Sequence, residues 1–291
     1  MSNQYSIKFR HYLQLVRFPG IFTAFSNILL GFFVVQNNNF EWMSLSPLLI
    51  TSGSLFLAGM ALNDYFDFEI DKKERPNRPL PSGKIKKSSA LYIGICFLII
   101  ANVSAIIVGI EALVISLIMT GLILAYDKKI KSYNVFGILN LSSIRFFNVI
   151  LGTTVISLNL ENILYALPIA FFVAGISILA KKETLPSSKT TEIVTIILFL
   201  MVIAYLLGFT ANEDPIHYVF VAILIIGIFL PYAFFKGASS VNTQKKITFL
   251  LLGIILLDAS LISAFSDVIF AIITLILYVP SYLIIRKMYL T

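Results

Sequence analysis

Apolar and polar residues follow one another along this chain in long blocks, not at every second or every third position. Ten apolar blocks occur, roughly at 18–36, 43–62, 89–109, 112–126, 135–158, 163–180, 194–210, 218–235, 247–264 and 268–285. A helix rises 1.5 Å per residue, so about 20 residues cross ~30 Å of hydrocarbon. The pattern predicts an all-α, polytopic transmembrane helix bundle of nine to ten spans. The fourth block is the shortest, at about 15 residues. Only Phe265-Ser266-Asp267 separates the last two, so they read as two spans or one hairpin. The alternating ten-residue strands of an outer-membrane barrel are absent from the pattern. A polar arm precedes the first block and no small-residue cleavage site follows it, so no cleavable signal peptide is expected. The longest polar stretch is 69–88. No soluble unit can be separated, and residues 1–291 are expected to form one integral-membrane domain.

Composition agrees with this and narrows it. Hydrophobic residues make up 58% and charged residues 13%, with mean hydropathy +0.91. Soluble domains are about 45–50% apolar and about 25% charged. A water-soluble enzyme and a disordered chain are excluded. The single cysteine, Cys96, excludes a disulfide framework and a CxxC metal site. His11 and His217 lie near opposite membrane boundaries, so no histidine metal site or triad is expected.

The net charge of +7 first suggests a polyanionic partner. Position decides otherwise. All of the 22 basic residues except Arg145 fall in alternate loops. The intervening loops carry Glu41, Glu111, Glu161, Glu213, Asp214 and Asp267 instead. By the positive-inside rule the termini and the basic loops are cytoplasmic and the span count is even. No basic stretch interleaves with exposed aromatics, so no nucleic-acid partner is expected.

The second apolar block ends in Asn63-Asp64-Tyr65-Phe66-Asp67-Phe68-Glu69-Ile70-Asp71 and runs on as Lys72-Lys73-Glu74-Arg75-Pro76-Asn77-Arg78-Pro79-Leu80-Pro81-Ser82-Gly83-Lys84. On a helix, Asn63, Asp64, Asp67 and Asp71 recur at three and four and share a face. Clustered carboxylates destabilise one another unless cations lie between them. Hard oxygen ligands of this kind suit Mg²⁺, which bridges to substrate phosphates. Pro76 and Pro79 then stop the helix, leaving Arg75 and Arg78 in a stiff loop. Arginine forks bind phosphate oxygens in pairs. An acidic helix end followed by ordinary loop cations is the bland alternative. Against it, Asp64 and Asp67 lie at the end of an apolar span, where ionisable groups are costly and usually functional. The combined segment reads as a seat for a diphosphate.

This segment resembles the UbiA superfamily of intramembrane prenyltransferases. Asn63, Asp64, Asp67 and Asp71 match its NDxxDxxxD motif, and 75–83 looks like its RPxRPLPSG continuation. Within the superfamily the chain looks most like the EboC-like branch. The segments that carry this are Leu15-Val16-Arg17-Phe18-Pro19 before Phe22-Thr23-Ala24, then Arg145-Phe146-Phe147-Asn148-Val149-Ile150-Leu151-Gly152, and Leu256-Leu257-Asp258-Ala259-Ser260. The resemblance implies a UbiA-like bundle with a central cavity open to lipid. It implies a Mg²⁺-assisted transfer of a prenyl group from a polyprenyl diphosphate to an aromatic or lipid-like acceptor. Asp64, Asp67 and Asp71 would hold the metal and act in catalysis, and Asn63, Arg75 and Arg78 would bind diphosphate. Multi-pass insertion in the cell membrane follows.

One stretch departs from the family pattern. Where a second aspartate-rich motif is expected, the chain has Gly175-Ile176-Ser177-Ile178-Leu179-Ala180-Lys181-Lys182-Glu183. Glu183 is its single carboxylate and a candidate metal ligand. Lys181 and Lys182 are candidate countercharges to the diphosphate, Lys182 being taken as the binding residue. The departure keeps a second reading open, a non-catalytic isoprenoid or lipid binder that retained the fold. A CDP-alcohol phosphotransferase needs glycine after an aspartate, whereas Tyr65 and Phe68 follow Asp64 and Asp67. A secondary transporter would need broken helices or half-to-half repeats, and neither is evident.

Three further places are candidates. Arg145 lies about ten residues into a span, where an unpaired guanidinium costs at least ~2.5 kcal/mol. It is expected to face the cavity, binding diphosphate or pairing with Asp258. Asn148 shares its face and either orients substrate or hydrogen-bonds across helices. Tyr126-Asp127-Lys128-Lys129-Ile130-Lys131 resembles the family's tyrosine-then-lysine loop, with Lys129 and Lys131 as unranked diphosphate ligands.

Overall fold

The computed structural model describes residues 2–36, 41–156, 158–181, 189–208, 215–236 and 239–287. The described residues form α-helices and short 3-10 turns and no strand. The helices are α1 (Ser2–Leu15), α2 (Ile21–Val35), α3 (Trp42–Phe66), α4 (Phe68–Glu74), α5 (Lys87–Val108), α6 (Ile110–Lys128), α7 (Asn134–Thr153), α8 (Glu161–Ala180), α9 (Lys189–Gly208), α10 (Ile216–Phe234), α11 (Ser240–Phe265), α12 (Val268–Ile276) and α13 (Tyr278–Lys287). Among the described residues, ten segments are long and apolar enough to cross a membrane. The fourth, Ile110–Lys128, has 19 residues, longer than its apolar block. Glu111, Asp127 and Lys128 mark the ends of the apolar block, yet the helical ladder runs through all three.

The last span, Val268–Arg286, is two helices end to end. Pro280 explains the break at Leu277: its ring has no N–H and clashes with the carbonyl of Ile276, the last residue of α12. The second piece is tied down where Ser281 Oγ donates to the Pro19 carbonyl at 3.0 Å.

Helices α2 and α11 run through the centre, their residues mostly buried, whereas α5, α6, α9 and α10 expose isoleucines, leucines and valines. Apolar residues facing outward are what a lipid-contacting surface requires. Without a hydrophobic force between helices, close packing decides association. Gly31 of α2 and Gly152 of α7 show this: a Cβ on Gly152 would lie 2.5 Å from the Ile28 carbonyl oxygen and 3.0 Å from Gly31 Cα. Only backbone fits between these two helices, and they form adjoining walls of the interior described next.

Candidate active site

Helix α3 continues almost unbroken past the membrane end. The Asp67 N–H donates to the Asn63 carbonyl at 2.9 Å, and the Asp71 N–H to the Asp67 carbonyl at 2.8 Å. The acidic face predicted from spacing therefore forms, across a slight turn at Asp67. Beyond α4 the proline-rich loop folds back. Leu80 and Ile85 are buried in a small cluster with Leu15 and Ala90, against Tyr12, Tyr65 and Phe68. Gly83 turns the chain at φ +76°, a conformation open to glycine. That anchoring fixes where Arg75 and Arg78 project.

The carboxylates are met by cations. Arg78 Nη1 lies 2.7 Å from Asp71 Oδ2 and 3.6 Å from Asp64 Oδ1, so one guanidinium bridges two buried acids. Arg17 Nη2 is 3.5 Å from Asp64 Oδ1. Lys131 Nζ is 2.5 Å from Asp67 Oδ1 and donates to Asn63 Oδ1 at 3.3 Å. Arg17 adopts a left-handed backbone conformation, φ 45°, alone among the described non-glycine residues. Such a conformation costs on the order of 1–3 kcal/mol and persists where the surroundings enforce it.

These groups surround a cavity of about 390 Å³. Six cationic side chains line it: Arg17, Arg75, Arg78, Lys131, Lys181 and, deep inside, Arg145. Asn63 and Asp127 are there too, while Asp64, Asp67 and Asp71 stand behind the cations that line the wall. The interior is apolar, with Leu55, Phe56, Met60, Met119, Ile123, Leu141, Ile176 and Leu252 among its walls. A space basic at its mouth and apolar within suits an amphiphile with an anionic head.

The cavity belongs to a known architecture. The UbiA prenyltransferase family model matches residues 24–253. This chain belongs to the UbiA prenyltransferase family. It is 28% identical over 265 residues to a digeranylgeranylglyceryl phosphate synthase of Saccharolobus solfataricus, covering 82% of this chain and 93% of that one. The fold likewise resembles a structure described as digeranylgeranylglyceryl phosphate synthase in membranes, at TM-score 0.63 and 22% identity over 88% of this chain and 98% of that one. It resembles a UbiA homologue of Archaeoglobus fulgidus bound to GPP and Mg²⁺, at TM-score 0.55 and 13% identity over 95% and 99%. A multi-pass membrane prenyltransferase with the UbiA fold is thus established.

The structure separates residues that the spacing could not rank. Lys131 lines the cavity, whereas Lys129 is exposed and is not among the lining residues. The short turn Ile130–Ser132 redirects the chain between them. Lys181 lines the cavity, while Lys182 and Glu183 lie outside the described residues. Arg145 reaches neither extreme of its two expected roles. It lines the cavity, donates to Thr23 Oγ1 at 3.0 Å and to Asn27 Oδ1 at 3.3 Å, and lies 5.7 Å from the Phe56 ring. Asn27 in turn donates to both oxygens of Asp258 at 3.1 and 2.8 Å, so the amide links the two charges. Asn148 touches the cavity, but its amide is spent on the fold: it accepts from Ser52 Oγ at 2.7 Å and donates to the Ala24 carbonyl at 2.9 Å. Both bonds run between helices, and the same side chain lines the cavity.

Among the described residues, no three of His, Cys, Asp and Glu converge on one metal position. Mg²⁺ needs less than that, since one or two carboxylates, waters and substrate phosphates complete its shell. The pair Asp64 and Asp71, already drawn together around Arg78, is chemically suited to that use. Sequence reasoning passed over Arg17 as an ion-pair partner, Asn27 as a linker, and Asp127.

Proposed function

We propose that this prenyltransferase moves a prenyl group from a polyprenyl diphosphate to a lipid-like acceptor within the bilayer. The observation that carries the reading is the cavity whose cationic mouth opens on an apolar interior. Arg75, Arg78, Lys131 and Lys181 would grip the diphosphate, with Arg17 behind them. The prenyl chain would lie along the apolar wall. As the allylic C–O bond breaks, negative charge grows on the departing diphosphate. Fixed cations aimed at that charge lower the barrier, because they need no reorganisation. Phe56 offers a ring face to the cation-like carbon. Mg²⁺, held by Asp64, Asp67 and Asp71 with Asn63 beside them, would neutralise part of the leaving-group charge.

The relatives' names support a prenylated glyceryl phosphate as the acceptor class. The EboC-like resemblance rests on its three short segments and adds no acceptor of its own. Residues 1–291 would act as one intramembrane unit. The basic loops would face the cytoplasm of the cell membrane, placing the mouth where soluble diphosphate is released.

The test uses purified protein in nanodiscs with radiolabelled geranylgeranyl diphosphate, MgCl₂ and geranylgeranylglyceryl phosphate. Diphosphate release and a doubly prenylated lipid are expected, with Asp67→Ala losing at least about a hundredfold, the lower end for a lost transition-state stabiliser. No release, or an Asp67→Ala rate equal to the parent, overturns the reading. A prenylated product with an aromatic acceptor alone would replace the acceptor class.

A further inference from the structure

Asp127 closes α6 and is 3% exposed. Its Oδ2 is buried with no hydrogen-bond partner. Among the described residues it is the carboxylate that lines the cavity, which otherwise presents cations and amides at its polar end. Its electrostatic neighbours are Lys131 first, then Asp67, Arg17 and Asp64. Lys131 already contacts Asp67. Asp127 thus lies within the electrostatic reach of that ammonium without contacting it, whereas Asp64 and Asp71 both contact the Arg78 guanidinium.

A bare carboxylate facing the space meant for a diphosphate is a contradiction in charge. Desolvated like charges repel strongly, and a buried oxygen without a partner is costly by itself. A cation between carboxylate and phosphate oxygen removes both problems. Lys131 is committed to Asp67 and Asn63 and does not bond Asp127. Two carboxylates with phosphate oxygens and water form a sufficient shell for Mg²⁺.

We propose that Asp127 is a metal ligand: with Asp67 it holds a divalent cation that enters together with the diphosphate. The inference rests on the diphosphate reading above. Lys131 then turns from Asp67 toward the phosphate.

The test measures Mn²⁺ binding by electron paramagnetic resonance on the purified full chain. It is run with and without a non-hydrolysable geranylgeranyl thiolodiphosphate, and calorimetry follows the thiolodiphosphate itself. The parent is expected to bind Mn²⁺ tightly only when the thiolodiphosphate is present. Asp127→Asn, nearly isosteric, should weaken that Mn²⁺ binding at least about tenfold, as lost metal ligation does. Metal-free thiolodiphosphate binding should hold or tighten, because a negative charge has left the cavity. Asp127→Glu should recover part of the metal affinity, which a merely structural role would not predict. Unchanged Mn²⁺ affinity in Asp127→Asn overturns the proposal. If the parent binds no thiolodiphosphate in either condition, the diphosphate reading itself has failed. If the parent binds it metal-free and Mn²⁺ adds nothing, this inference alone has failed.

Discussion

The pairing of Arg145 with Asp258 across Asn27 makes a quantitative prediction. Asp258 is fully buried in α11, and its two oxygens accept from Asn27. Arg145 donates to the same amide from α7. Opposite charges bridged by one amide in this way attract by about 3 kcal/mol at an effective dielectric constant near 20. Replacing Arg145 with methionine keeps much of the volume but strands the carboxylate; Asp258→Asn strands the guanidinium. Removing one member of a buried pair costs about 3–5 kcal/mol. The double variant Arg145→Met/Asp258→Asn strands no charge, and exchanging a whole buried pair for neutral groups is often close to neutral.

Thermal unfolding of the detergent-solubilised protein, followed by intrinsic fluorescence at fixed heating rate, measures the cycle. At about 2–4 °C per kcal/mol for a chain of this size class, each single variant should lower Tm by about 6–20 °C. The double variant should fall by no more than either single one, giving a coupling of about 3 kcal/mol or more. Additive losses would refute the electrostatic link and leave Arg145 as a group held by Thr23 and the cavity alone.

Other expectations follow from the same geometry. Gly152→Val should lower Tm sharply and reduce folded yield, because its side chain meets the α2 backbone, whereas Gly121→Ala on α6 meets nothing within 4 Å and should be neutral or stabilising by up to about 1 kcal/mol. Lys131→Met should slow diphosphate release at least about tenfold, and Lys129→Met, exposed and off the cavity, should stay within about twofold in the same steady-state assay. Lys246 is buried 2.8 Å from the partly exposed Glu192 Oε1 and 5.0 Å from the Tyr232 ring, so Lys246→Ala should cost about 1 kcal/mol in unfolding without changing the KM for diphosphate.

The spans were legible because a membrane helix must satisfy its backbone internally and present apolar side chains to lipid, so composition alone marks it. The acidic segment was legible because three- and four-residue spacing survives the slight turn at Asp67. What escaped were consequences of tertiary placement. The polar arm before the first span is helical, and its Leu15 packs with Leu80 and Ile85 of a loop more than sixty residues away. Pro280 was visible in the sequence, yet only the helix-to-helix break gives it meaning. Lys129 and Lys131 differ by two positions, and a single 3-10 turn decides which one faces the cavity. Asp127 sat in a run of lysines and read as loop charge. Its burial depends on where the end of α6 meets α3, which no local pattern records.

The order of charges around the cavity sharpens what the aspartates do. Asp64, Asp67 and Asp71 stand behind Arg17, Arg78 and Lys131, not in front of them. Without substrate, six cations facing one apolar space would repel each other, and each flexible side chain has rotamer entropy to regain by leaving. The carboxylates hold three of those cations in place and neutralise them. An arriving diphosphate offers the cations a second anion, and a divalent cation offers the carboxylates a second partner. The exchange keeps every charge paired on both sides. It follows that an aspartate variant loses two things at once, a metal ligand and the tether of a basic residue. Asp71→Asn should therefore weaken metal-free diphosphate binding, through a released Arg78, as well as Mn²⁺ binding. Asp127→Asn, with no tethered cation, should weaken the metal alone. Loss of metal-free binding in both variants would contradict this division of roles.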